Sequence, residues 1–96
     1  MTHTKKRQLR FQRFDLILVS EVGYYWSQTE LAQSIHWLAA HLQAGGHLVL
    51  VHYTPFVSDY PLTGDEVHTA ILAAPHWRHL QGQREEQYRL DVLERL

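Results

Sequence analysis

Two short apolar runs bracket a helical segment, and that arrangement restricts the fold more than any other feature of the chain. Phe14–Val19 reads FDLILV and His47–Val51 reads HLVLV. Runs this short, apolar on both alternating faces, suit parallel strands buried by helices on each side. Between them, Ser27-Gln28-Thr29-Glu30 has the spacing of a capping box, in which Ser27 and Glu30 satisfy each other's free amides. Leu31, Ile35, Leu38 and Leu42 then recur at helical spacing and give one apolar face. Gly45 and Gly46 are predicted to end that helix, because a left-handed C-terminal residue is cheapest as glycine. Strand, helix and strand within about 40 residues normally make two parallel strands with a right-handed crossover.

A polar, aromatic loop is predicted from His52 to Leu62. Thr63-Gly64-Asp65-Glu66 repeats the capping-box spacing. Val67, Ala70, Ile71 and Ala74 form the next helical stripe, which Pro75 stops. Trp77–Gln81 and Tyr88–Leu93 show partial alternation and are joined by Gly82 and the charged run Arg84, Glu85, Glu86, as in an antiparallel hairpin. The expected fold class is therefore α/β, in the order β-α-β-α-β-β. It is a mainly parallel sheet with flanking helices and an antiparallel last strand. In that order FDLILV becomes an edge strand, and a bare apolar edge invites pairing with another chain.

Composition narrows the function classes. At 96 residues with 45% hydrophobic and 20% charged content, the chain makes one globular domain of modest core. No apolar run reaches the roughly 18 residues of a membrane span, and no signal-peptide pattern opens the chain. The absence of cysteine excludes disulfides and thiolate metal sites and fits a reducing, cytoplasmic setting. The net charge of -1 hides an asymmetry. Lys5, Lys6, Arg7, Arg10 and Arg13 put +5 on the first 13 residues; four basic residues against ten acids leave −6 on the rest. Residues 1–10 are read as a mobile basic arm. A nucleic-acid role is not expected, because no aromatic–basic platform accompanies the arm.

The order and wording of residues 11–96 resemble the C-terminal half of a class I S-adenosylmethionine-dependent methyltransferase, whose Rossmann-like sheet ends in an antiparallel strand. Phe14–Val22 looks like the fourth strand and the loop after it. Leu42–Val51, with its paired glycines, looks like the turn into the fifth strand, with Ala44 where the family usually has proline. Ser20, Glu21, Val22, Tyr24 and Tyr25 match the SEVxYY pattern of the nodulation protein S branch. His52-Tyr53, Asp59–Asp65 and Tyr88–Arg95 resemble its later segments. The family's glycine-rich cofactor loop has no counterpart, since the five glycines form no G-x-G-x-G. The chain is therefore expected to be a truncated form, beginning just before the fourth strand.

The resemblance implies S-adenosylmethionine as cofactor and a small amine or amino-sugar oligosaccharide as methyl acceptor. Ligands in open α/β sheets bind beyond the carboxyl ends of parallel strands, here Ser20–Tyr25 and His52–Thr54. Ser20, Glu21 and Val22 are expected at the cofactor. Tyr24, Tyr25, Tyr53, Asp59, Tyr60 and Asp65 are expected at the acceptor, and His52 as a proton acceptor. Plainer roles stand beside these. Tyr24, Tyr25 and Trp26 would also serve as apolar plugs, His52 as a hydrogen-bonded structural histidine, and Asp65 and Glu66 as partners of a helix dipole. His36, His41, His76 and His79 lack convergent ligands, so no metal site is expected. The alternative function is a non-catalytic module pairing through its first strand, as a homodimer or with a missing N-terminal half.

Overall fold

The computed structural model describes residues 13–96, and the basic arm expected at residues 1–10 lies outside them. The described elements run β1 (Phe14–Ser20), a single 3-10 turn (Gly23–Tyr25), α1 (Gln28–His41), β2 (Leu42–Tyr53), α2 (Gly64–Ala73), β3 (Trp77–Arg84) and β4 (Tyr88–Arg95). They form a four-stranded sheet in the order β1-β2-β4-β3. β1 and β2 are parallel, and β4 is antiparallel to both β2 and β3. The antiparallel last strand is as expected from the sequence order, and the structure places it between β2 and β3.

Both predicted capping boxes are present. The Ser27 hydroxyl accepts from the Glu30 amide at 3.1 Å while the Glu30 carboxylate accepts from the Ser27 amide at 2.9 Å. Thr63 and Glu66 repeat the exchange at 3.1 and 2.8 Å. Each box satisfies two amides that the first helical turn cannot.

The end of α1 differs from expectation. The helix stops at His41, and the Leu42 amide donates to the Leu38 carbonyl. Gly45 and Gly46 lie inside β2, in an irregular stretch where the pairing with β1 jumps from Phe14–Leu42 to Leu16–His47. Gly45 takes a φ of 81°, so its left-handed geometry turns the strand rather than capping the helix. The loop predicted to begin at His52 begins later, because β2 continues through Tyr53. The extra length follows from pairing on both sides: β4 matches β2 from His47 to Tyr53.

Successive crossovers from β1 to β2 and from β2 to β3 advance in the same direction across the sheet, which places both helices on one face. That face carries the core. Leu48, Leu50, Leu93, Val67 and Ile71 are fully buried, with Leu31, Leu38 and Val19 around them. The Trp77 indole N–H donates to the Ile71 carbonyl at 2.7 Å and closes the far end. The opposite face carries Leu18, Val49 and Val92 in register and has no helix on it among the described residues. The two-sided burial expected for β1 is therefore not seen: Leu16 and Leu18 are each 61% exposed. β1 is also an edge, and an apolar groove of about 210 Å³ runs beside it, lined by Ile17, Val19, Val22, Trp26 and Trp37.

Leu50 sits at the centre of the covered face and Thr63 at its rim. Leu50→Ala is expected to cost about 2–5 kcal/mol and Thr63→Ala about 1 kcal/mol, read as lower urea midpoints.

Candidate functional site

β1 and β2 are parallel neighbours, so their carboxyl ends open side by side, with Ser20 opposite Val51. After Ser20 the chain bends sharply at Glu21, whose φ of 57° is unusual for a residue with a side chain. Two bonds to β2 hold it there. The Glu21 amide donates to the Val51 carbonyl at 3.0 Å, and the Tyr53 amide donates to Glu21 Oε1 at 2.8 Å. The carboxylate is thereby fixed at the mouth of the two strands.

The 3-10 turn then brings Tyr24 and Tyr25 against Tyr60 from the segment between β2 and α2. The Tyr24 and Tyr60 rings stack 4.6 Å apart and 3° from parallel. Tyr25 meets both rings edge-on at 5.0 and 4.8 Å, and its hydroxyl lies 3.3 Å from that of Tyr60. The Leu62 amide donates to the Tyr24 carbonyl at 3.2 Å, tying the loop to the turn. Tyr24 is buried and Tyr25 is 55% exposed, so the cluster has a dry side and a wet side. Burial first, and then the neighbouring Glu21 carboxylate, push the Tyr24 hydroxyl above its ordinary range. Tyr60 moves the same way, chiefly through its bond to Tyr25. Both therefore stay protonated at neutral pH.

His52 lies beneath this cup, fully buried, with the Tyr24 ring edge-on at 5.4 Å. Both of its ring nitrogens are engaged. Nε2 accepts from the Gly23 amide at 3.0 Å, and Nδ1 lies 2.9 Å from His68 Nε2. His68 Nδ1 is 2.6 Å from Asp91 Oδ2. Asp91 is also held by His79 Nε2 at 2.8 Å and by Arg89 Nε at 2.9 Å. Burial, with His68 second, lowers His52 to about 4. Burial also lowers His68 despite its bond to Asp91, so the His68–Asp91 contact joins a neutral imidazole to a carboxylate. The sequence offered His52 as a proton acceptor or as a hydrogen-bonded structural histidine; the structure buries it with both ring nitrogens engaged.

The remaining expected residues divide. Ser20, Glu21 and Val22 stand at the strand ends, and Val22 is 40% exposed. Tyr53 borders the cup through its bond to Glu21 and packs edge-on against Tyr88 at 5.8 Å. Asp59 is exposed, next to Tyr60. Asp65 is committed elsewhere: it pairs with Arg84 at 2.5 Å and Arg89 at 3.0 Å. The Arg84 bond leads in holding its carboxyl below the usual range. It fastens α2 to the β3–β4 hairpin rather than facing the tyrosines.

Comparison with solved structures settles the architecture. A candidate methyltransferase from Pseudomonas syringae superposes with a TM-score of 0.70 at 32% identity over 88% of this chain. The N-methyltransferase NodS from Bradyrhizobium japonicum WM9, in complex with S-adenosyl-L-homocysteine, gives 0.70 at 23% identity over 88% of this chain. The fold is that of the class I methyltransferases. The chain spans about half the length of these structures, 49% of the first and 47% of the second. No family model and no curated protein matches the chain. Among the described residues no helix is long and apolar enough to cross a membrane.

Sequence reasoning missed His68, Asp91, Arg89 and Arg84. A signal existed for the first. Gly64, Val67, His68 and Ile71 are the buried residues of α2, spaced i, i+3, i+4 and i+7, so a histidine fills a core slot of the stripe. Asp91 likewise takes a core position between Arg89 and Leu93 on alternating β4.

The depressed histidines set a pH window. In the unfolded chain His52 takes a proton near 6.5, whereas folded it resists protonation down to about 4. Its contribution is present in full above pH 6.5 and is lost as pH falls toward about 4. The loss is on the order of 3 kcal/mol, and His68 acts in the same direction. Urea melts are expected to show stability falling as pH drops from about 6.5 toward about 4.

Proposed function

We propose that this chain forms the acceptor side of an S-adenosylmethionine-dependent N-methyltransferase site acting on a small amine or amino-sugar. The observation that carries this reading is the cup of Tyr24, Tyr25 and Tyr60 beside the Glu21 carboxylate, set at the carboxyl ends of the two parallel strands. Aromatic faces and a carboxylate suit a cation, and both the ammonium form of the acceptor and a sulfonium are cations. The donor set therefore fits the methyl end of the cofactor, with Ser20, Glu21 and Val22 nearest to it. S-adenosylmethionine, when bound, supplies an electrophilic methyl group.

The chain's own residues do the positioning. Methyl transfer depends on holding the acceptor nitrogen in line, and side chains fixed by their own contacts supply that. Tyr25 and Tyr60 border the acceptor on the wet side of the cup, and Asp59 adds a negative charge beside Tyr60. An amine must lose its proton before it attacks. With His52 buried and both its nitrogens occupied, Glu21 is the group placed to draw in the ammonium and take that proton. The glycine-rich loop that holds the rest of the cofactor in this family is not among these 96 residues. The reading therefore assigns those contacts to residues outside the chain, which spans about half of its structural neighbours.

The test is calorimetric titration with glucosamine and with its neutral N-acetyl form. Glucosamine is expected to bind and the N-acetyl sugar not to. Glu21→Gln and Tyr25→Ala should each weaken glucosamine about tenfold, a loss of about 1.4 kcal/mol. Equal binding of the charged and neutral sugars would overturn the reading.

A further inference from the structure

We propose that His68 and Asp91, far from any acceptor, are positioning residues for the tyrosine cup: they fix His52 in the one tautomer whose Nε2 can hold the Gly23 amide. The value of that position for amine binding rests on the function proposed above; the positioning itself does not.

The argument is one of donors and acceptors. The Gly23 amide can only donate, so His52 Nε2, 3.0 Å away, must carry a lone pair. A neutral His52 then has its proton on Nδ1, which donates across 2.9 Å to His68 Nε2. His68 in turn has its proton on Nδ1 and donates to Asp91 Oδ2 at 2.6 Å. The chain of bonds cannot run the other way. A backbone amide never accepts, so the Gly23 end fixes the direction. The Asp91 side chain receives the last bond at the other end, and the two ends together hold both tautomers, as a carboxylate orients a histidine in many sites.

Every element packed around the chain contributes a group. His52 on β2 is faced by His68 from α2 and by Tyr24 from the 3-10 turn. His68 is faced by Asp91 and Arg89 of β4 and by Asp65 of its own helix. Asp91 is faced by His79 of β3. None of these groups offers His52 Nδ1 another acceptor, so loss of His68 leaves that proton unpaired and frees the ring to change tautomer.

The His52 bond is the side-chain contact made to the Gly23 amide itself. Gly23 packs so closely that a Cβ there would lie 2.6 Å from Val67 Cγ1 and 3.1 Å from His52 Nε2. The turn residue after it carries Tyr24, and Tyr24 holds Leu62 and thereby the loop bearing Tyr60. A shift of the Gly23 amide therefore moves all three tyrosine rings.

The test uses the full 96-residue chain, labelled with nitrogen-15. Long-range proton–nitrogen spectra at about pH 7 are expected to show His52 and His68 as neutral rings, each protonated on Nδ1. Two variants separate positioning from simple stability. In His68→Leu, hydrogen exchange of the Gly23 amide should rise at least about tenfold while that of Leu50 holds. In His68→Gln, whose amide both accepts and donates, Gly23 should stay within about threefold of the parent. Glucosamine affinity should follow Gly23, falling about tenfold in His68→Leu only. A proton on His52 Nε2, or unchanged Gly23 exchange in His68→Leu, would overturn the proposal. Should His68→Leu fail to fold, the wild-type tautomers alone decide. If tautomers and exchange behave as expected while the wild-type chain binds no glucosamine, the positioning stands and the amine reading of the cup falls.

Discussion

A single buried carboxylate joins the parts of this molecule. Asp91 is 1% exposed, and a charge withdrawn from water to that degree is tolerated only when it is paired and fully hydrogen-bonded. Arg89 on its own strand, His79 on β3 and His68 on α2 supply those bonds. Because the partners come from three elements, satisfying the carboxylate fixes the sheet's last hairpin relative to the second helix. Through His52, the same chain of bonds reaches the turn that follows β1. The deeply buried Asp91 and the candidate site thus belong to one network.

What was legible in the sequence was what is local. The two apolar strands, both capping boxes and the final hairpin show in local patterns of a few residues, and all are present, although β2 runs from Leu42 to Tyr53, well beyond the expected His47–Val51. The site was half legible. Tyr24, Tyr25, Tyr60 and Glu21 do come together, because the connections leaving the ends of two adjacent parallel strands meet there and are tied by the Leu62–Tyr24 bond. For His52 the sequence left a proton acceptor and a structural histidine side by side, because burial depends on partners 16 and 29 positions away. Asp65 misled for the same reason: its arginine partners lie 19 and 24 residues downstream. The paired glycines misled differently. Glycine permits a left-handed turn without saying whether a helix is ending or a strand is bending, and Gly45 does the second.

The likeness to methyltransferase structures divides the site in a way that bears on specificity. Residues at the strand ends, Ser20 to Val22, come from the segment most tightly tied to the sheet. Tyr60 and Asp59 come from the long connection between β2 and α2, which touches the turn through the Leu62–Tyr24 bond and the stacked rings. Connections of that kind change length and composition with little effect on the sheet beneath. Residues 54–63 can therefore change while the strand ends and the histidine chain stay as they are, and under the proposed function such changes would alter acceptor preference.

The placement of both helices on one face also shapes how the molecule responds to heat. Unfolding raises the heat capacity in proportion to the apolar surface newly exposed to water. Here much of one sheet face, with Leu16 and Leu18 on β1, already meets solvent in the folded state. Apolar surface already wet in the folded state does not add to that increment, so the exposed side of β1 flattens the stability curve rather than steepening it.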